Sequence, residues 1–347
     1  MNEHMVNGSR NEQQEIKSTD SKTGNTGCDA LASEGLRITL VQNGWQQSEV
    51  THHLSPAEKL FRLYDGVQTF VMFIGYKRSC HSLVAAMLDA HPEIVISPGY
   101  PVIEKWEQYQ STKLKEKRMQ KYRLFYDLHQ HSLEHAMFIK RASSESCLRQ
   151  ESRYNYHIPG LWQGGFQHRI KVIGDRKGKD TALALTDKMS VLDEIREVVQ
   201  VPIKLIHVIR NPFDNIATMM LHAVESRDAV RGGGLKIENK EELDRAIERY
   251  FELADAAQFV KLHCKDAVID IPAHEMLLRP KETLRKLCDH LGVSCPKNYV
   301  EKCREVLRAP SVTRDKVLWT NEQIERVTKM MKDYHFLEKY SFDELPK

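Results

Sequence analysis

The stretch TFVMFIGYKRSCHSLVAAMLDAHP, residues 69–92, restricts the fold more than any other in the chain. From Thr69 to Gly75 it runs through apolar and β-branched residues with no polar alternation. A strand with one wet face alternates with period two, and a parallel strand covered on both faces does not, so the run predicts a central parallel strand. The pattern then turns helical over 80–90. Between strand and helix, where a turn is required, stand two cations, Lys77 and Arg78.

Three further runs read as buried strands: RIKVIGD (169–175), PIKLIHVIR (202–210) and AVIDIP (267–272). Helical patterns fill the intervals, over 103–140 in pieces, 181–199, 213–226 and 239–264. Strands alternating with helices give right-handed βαβ crossovers, hence an α/β fold with a central parallel sheet flanked by helices. RPKETLRKLCDHLGV, stopped at Gly292, and CPKNYVEKCREVLRA are two later helices, and a last one covers about 321–334. Upstream, LSPAEKLFRLYDG predicts a short helix with Ser55 as N-cap and Pro56 in its first turn.

Residues 1–35 are rich in Asn, Glu, Gln, Ser, Lys and Gly and poor in core formers, which predicts a disordered N-terminal tail. The remainder, 36–347, is expected to be a single α/β domain, a usual size for the class. A formal net charge of +3 gives no reason to expect nucleic-acid binding but leaves room for a local anion site. No run approaches the roughly 18 to 20 apolar residues of a membrane span, and no basic-then-apolar leader opens the chain, so a cytoplasmic protein without a membrane partner is expected. The seven cysteines, Cys28, Cys80, Cys147, Cys264, Cys288, Cys295 and Cys303, contain no CxxC pair, so no metal is expected. Cys295 and Cys303 would pair only in an oxidising compartment; reduced thiols are expected.

Ligands of a parallel sheet collect at the carboxyl ends of its strands, where a helix N-terminus offers free N–H groups. GYKRSCHS occupies such a place and adds the cations Lys77 and Arg78 and the hydroxyls Ser79 and Ser82, all donors suited to phosphate oxygens. It lacks the GxxxxGK[ST] arrangement of a nucleoside-triphosphatase loop. The bland alternative is a solvated basic turn. HVIRNPFDNIATMML repeats the pattern: a buried strand ends in Arg210, Asn211 and Pro212 suit the start of a helix, and Thr218 follows Arg210 by eight residues, about two helical turns. Here the bland alternative pairs Arg210 with Asp214 and leaves Thr218 to packing.

Taken together, GYKRSCHSLVAAMLDAHP resembles the 5′-phosphosulfate-binding loop of the sulfotransferases, and VIRNPFDNIAT resembles their 3′-phosphate-binding segment. HEMLLRPKETLRKLCDHLGV is similar to a later stretch of the same family, and the likeness spans about 68–345. The resemblance implies a three-layer fold like that of the P-loop NTPases, with 3′-phosphoadenosine-5′-phosphosulfate (PAPS) as donor and 3′-phosphoadenosine-5′-phosphate (PAP) as product. It implies sulfuryl transfer to a hydroxyl or amine of a small-molecule acceptor, without metal; the oligomeric state stays open, with a homodimer as one option. Carried over, Lys77, Arg78, Ser79, Cys80, His81 and Ser82 fall on the 5′-phosphate loop, with Arg78 as its basic, catalytic residue. Arg210 and Thr218 fall on the 3′-phosphate pair, and Arg314, in SVTRDKVLW, falls on a late basic loop that closes over the nucleotide.

The physical logic agrees: transfer of this kind spreads charge over equatorial oxygens and the leaving phosphate, so cations and positioning carry most of the catalysis. The acceptor also needs a base. Here the chain departs from the family pattern Gly-Tyr-Pro-Arg-Ser-Gly-His-Ser. Lys77 replaces the proline, Cys80 replaces the second glycine, and Pro98 and Gly99 stand where a Glu serving as the general base is expected after DAHP. Asp175 and His81 are the leading substitutes, with Glu104, His129 and His131 as others that equally suit solvated helix faces. A catalytically impaired nucleotide-binding relative is therefore the alternative; a third reading, a small-molecule kinase, needs the GK[ST] loop and an Asp pair for magnesium, which the sequence lacks. Acceptor lining is expected from 97–168, including Trp106, Tyr109, Tyr154, Tyr156, Trp162 and Phe166.

Overall fold

The computed structural model describes residues 56–110, 117–139, 156–224 and 236–343. The predicted tail, the Ser55 cap, Cys28, Cys147 and Tyr154 lie outside them. Five parallel strands form the sheet: β1 (Thr69–Gly75), β2 (Ile94–Ser97), β3 (Val172–Asp175), β4 (Ile203–Ile209) and β5 (Val268–Pro272), in the order β2-β3-β1-β4-β5. β1 is central and every one of its residues is buried. Its ladder partners are β3, with Thr69 opposite Val172, and β4, with Gly75 opposite Val208.

Alternate β1 side chains feed opposite faces, which makes the three layers. Phe70, Met72 and Ile74 join a cluster with α4 (Lys117–Glu134), α5 (Gly178–Asp187), α6 (Ser190–Val199) and the end of α8 (Lys240–His263). Val71 and Phe73 join the opposite cluster with α2 (His81–Asp89), α10 (Pro280–Leu291) and α11 (Lys297–Glu305). Burying each such apolar side chain contributes roughly 1.5–3 kcal/mol. A third cluster joins α7 (Pro212–Ala223), α8 and α12 (Asn321–Met331) beyond the carboxyl end of β4. Three short helices complete the described set: α1 (Pro56–Phe61), α3 (Trp106–Tyr109) and α9 (Ala273–Leu278).

The sequence expectations hold for β1 and, within one to three residues, for the other predicted strands. They miss β2, because IVIS is only four residues long and is bounded by prolines in HPE and SPG. They also merge α5 with α6, which separate where Lys188 turns extended at φ −144° and ψ 84°. The DAHP segment is a brace for the sheet. Buried Asp89 accepts from Ile96 N at 2.8 Å, Ser132 Oγ at 2.9 Å and Gly164 N at 3.1 Å, so it ties β2, α4 and the 156–165 segment together. His91 accepts from Glu93 N through Nδ1 at 3.1 Å and donates from Nε2 to Ser294 O at 2.8 Å, a fully used neutral imidazole. The described cysteines are all free thiols, Cys295 and Cys303 among them. Among the described residues no helix is long and apolar enough to cross a membrane.

Candidate functional site

Because β1 and β4 pair along their length, the loops that leave their carboxyl ends start side by side. The first, Tyr76–Cys80, is bent by three positive φ values: Gly75 at 111°, Arg78 at 69° and Cys80 at 74°. Left-handed backbone costs an L-residue about 1–2 kcal/mol. Two such non-glycine residues within three positions mark a loop held for a purpose, and alternation of this kind turns successive amides toward one point. Cys80 caps α2, its carbonyl taking Leu83 N at 3.0 Å and Val84 N at 3.2 Å, which leaves the amides of His81 and Ser82 at the helix end.

The side chains sort into two groups. Lys77 and Arg78 are exposed. Ser79 is buried and turned inward, donating to Tyr76 O at 3.1 Å, so its hydroxyl braces the loop. Ser82 Oγ accepts from Arg176 Nη1 at 2.5 Å and keeps its own proton for another acceptor. His81 is driven down to about 3 by burial and by the Arg176 and Arg78 cations, and Nδ1 stands 3.4 Å from Ser79 Oγ. It is a neutral imidazole and a weak base. Burial pushes the Cys80 thiol up, against the opposing pull of Arg210.

The second loop carries Arg210. Its Nη1 donates to Thr218 Oγ1 at 2.8 Å and Arg78 O at 3.4 Å; its Nη2 donates to Ser311 O at 3.1 Å, Ser311 Oγ at 3.2 Å and Thr313 Oγ1 at 2.7 Å. One guanidinium thus joins the β1 loop, α7 and a late loop. Asn211 caps α7 by accepting from Phe213 N at 3.0 Å, and Asn215 holds the β1 loop through a 2.9 Å bond from Nδ2 to Lys77 O. Asp214 does not pair with Arg210. It accepts from Thr313 N at 2.7 Å, Arg314 N at 2.9 Å and Arg314 Nη1 at 2.7 Å.

That corrects the expectation for Arg314. Its side chain is 2% exposed and paired with Asp214, so it faces into the protein and presents no surface to a nucleotide. The remaining expected residues, Lys77 to Ser82, Arg210 and Thr218, share one edge of the sheet.

The end of β3 supplies a third group. Asp175 is buried; Oδ1 accepts from Gly99 N at 3.2 Å and Oδ2 from Lys177 N at 2.6 Å. Burial raises its carboxyl to about 7, opposed by the Lys177 amide, the Arg176 charge and the Arg176 and Tyr100 amides. Arg176, which sequence reasoning passed over, reaches from β3 to Ser82 and to Pro98 O at 2.5 Å. A cation ending a buried run, the signal used for Arg78 and Arg210, was present in GDRKGKD. His131 bonds Ser97 Oγ at 2.7 Å through Nδ1, and burial lowers its pKa. Glu104 is paired with Lys177 at 2.6 Å, and His129 with Tyr64 OH at 3.1 Å, away from this edge. Among the described residues no group of three or more His, Cys, Asp or Glu is arranged to hold a metal.

Cys80 gives a direct test of the loop's strain. Glycine adopts φ near 74° freely and alanine does not, so Cys80→Gly should be more stable than Cys80→Ala by about 1 kcal/mol despite glycine's greater freedom when unfolded. Urea denaturation of the two variants measures it; equal midpoints, or a more stable alanine variant, would show that the loop relaxes.

The chain matches the model of the sulfotransferase family over residues 71–297. No curated protein matches it. Among solved structures it is similar to the sulfotransferase domain of the Synechococcus PCC 7002 olefin synthase, at 12% identity and TM-score 0.42 over 77% of this chain and 94% of that one. It is also similar to sulfotransferase STF9 of Mycobacterium avium, at 12% identity and TM-score 0.42 over 83% and 81%. A mouse sulfotransferase complexed with PAP aligns at 13% identity and TM-score 0.36 over 81% and 90%. With the family model spanning most of the sheet and both basic loops, the chain belongs to the sulfotransferase family.

Proposed function

We propose that this protein transfers a sulfuryl group from PAPS to a hydroxyl or amine of a small-molecule acceptor. The observation that carries the reading is Arg210, whose guanidinium touches the β1 loop at Arg78 O and a cluster of hydroxyls at Thr218, Ser311 and Thr313. A ligand with anionic groups on both its 5′ and 3′ sides fits two adjoining cationic loops; one with a single phosphate leaves one loop unused. The donor supplies the sulfuryl group and a phosphate leaving group. The chain supplies the positioning: first-turn amides of α2 and Arg78 toward the 5′ side, Arg210 toward the 3′ side, and Arg176, bonded to Ser82, between the β1 loop and the Pro98 segment.

Asp175 is the proposed base, because a carboxyl near pH 7 at this edge is ionised in a useful fraction of molecules and still basic enough to take a proton. His131, bonded to Ser97 beside the Pro98 segment, is the second reading. Its Nε2 is free to accept a proton when Nδ1–H donates to Ser97 Oγ.

Two outcomes follow. Arg210→Ala should weaken PAP binding on the order of 100-fold, as expected for loss of charged hydrogen bonds, and change adenosine 5′-monophosphate binding little. Calorimetry with both nucleotides checks this, and equal losses would remove Arg210 from the 3′ side. With radiolabelled donor and a panel of phenols, alcohols and amines, turnover at saturating donor should rise with pH through about 7 and then level, since the unprotonated base is the active form. Asp175→Asn should abolish that rise. A rate already level at pH 6.5, lost in His131→Ala instead, would transfer the role to His131, whose pKa lies below the ordinary histidine value.

A further inference from the structure

The fully buried part of β4, 205–209, contains one polar residue, His207, which stands in register between Ile74 of β1 and Asp270 of β5. Burying an imidazole costs free energy that an aliphatic side chain at the same place would not. One of its nitrogens is accounted for. Nδ1 lies 3.0 Å from Asp270 Oδ1, and Lys261 Nζ donates to both oxygens of Asp270, at 2.8 and 2.6 Å. Burial works against the charge on Asp270, but the bonds from His207 and Lys261 hold its carboxyl down to about 2. An ionised carboxylate only accepts, so Nδ1 carries the hydrogen and Nε2 is the bare nitrogen. Burial holds the imidazole below the ordinary histidine value, with Asp270 opposing, so the ring is neutral. Phe336 meets it edge-on at 5.0 Å, and Lys261 Nζ sits 4.2 Å over the Phe336 ring. The ring is fixed from behind.

Its opposite edge faces the β1 loop. Nε2 is buried and has no hydrogen-bond partner among the described residues. A Cβ on Gly75 would stand 2.7 Å from His207 Cδ2 and 3.2 Å from Nε2, so the imidazole occupies the place of a side chain at the last residue of β1. Only glycine, here at φ 111°, admits the ring so close. Tyr76 comes next, with its ring 5.5 Å from that of His207 and stacked at 4.4 Å on Tyr250 of α8; its carbonyl receives the Ser79 hydroxyl. The entry of the loop therefore rests on His207, while Asn215 and Arg210 hold its later carbonyls at Lys77 and Arg78.

We propose that His207 is a positioning residue for the β1 loop: held by Asp270 and Lys261, its Cδ2–Nε2 edge sets the backbone at Gly75 and Tyr76 from which Lys77 and Arg78 are presented. What the loop binds rests on the PAPS reading above. The role of His207 goes beyond that reading, since the residue is 0% exposed and acts only through the backbone it supports.

The test pairs His207→Leu with Asp270→Asn. Leucine suits a buried strand, so His207→Leu should keep the wild-type midpoint in urea or raise it, but a branched tip does not reproduce the narrow ring edge at Gly75. Small misplacements of binding groups are costly, so PAP affinity by calorimetry should fall about tenfold or more. In the nucleotide-free protein, amide protection should fall over 76–84 and stay unchanged over 172–175 in β3, a contrast that a merely structural role would not produce. Asp270→Asn loosens the ring without removing it and should give the same pattern with a loss of about threefold, as for one weakened hydrogen bond. If the leucine variant fails to fold, this second variant decides, and an unchanged loop there overturns the proposal. So does a folded His207→Leu that binds PAP within about twofold of wild type, the scatter of a neutral substitution, or that loses protection evenly over both segments. A wild-type protein with no preference for PAP over adenosine 5′-monophosphate removes the nucleotide reading, and the exchange result then decides on His207 alone.

Discussion

The structure depends on the complete burial of β1. A strand with no face to water must satisfy its backbone on both sides, and it does so by parallel pairing with β3 and β4. Parallel pairing in turn forces every crossover to return over the sheet, so the strands all end at one edge. The first residue of the β1 segment free to meet water is Lys77, and Arg210 follows directly on the neighbouring strand β4. The cations are therefore neighbours because the core is apolar. The chemistry of the site is a consequence of how the sheet is built.

Three loops converge on that edge, and each is fixed by a different device. The β1 loop is fixed by backbone shape, with Arg78 and Cys80 in left-handed conformations and Ser79 turned inward. The β4 turn is fixed by capping, through Asn211, and by the reach of Arg210. The late loop is fixed by charge, through buried Asp214 and Arg314. Preorganised donors are worth more in catalysis than mobile ones because they need no rearrangement as charge moves to the leaving group. Cys80 in place of glycine does not prevent the loop from adopting its bend; it makes the bend strained.

What was legible in the sequence follows from the range over which each signal acts. β1, Arg78, Arg210 and Thr218 are read from contiguous patterns of apolar run, cation and helix start. β2 escaped because four residues between prolines carry too little pattern. The error over Arg314 has another source. A sequence shows that a charge exists near a loop but not which way it points, and the partner that decides this, Asp214, lies a hundred residues earlier. The same distance conceals Ser311 and Thr313, which the fold sets against Arg210. Asp175 is intermediate: its place at a strand end was legible, and its burial and raised pKa were not.

The central claim is that the β1 loop, the Arg210 turn and the late loop form one nucleotide site. Amide hydrogen exchange of the whole protein with and without PAP, in magnesium-free buffer, tests it most directly. The account predicts added protection confined to about 77–84, 210–218 and 311–317, and none of it with adenosine at the same concentration. Protection that appears elsewhere, or in the β1 loop without the other two segments, would contradict a single site built from all three.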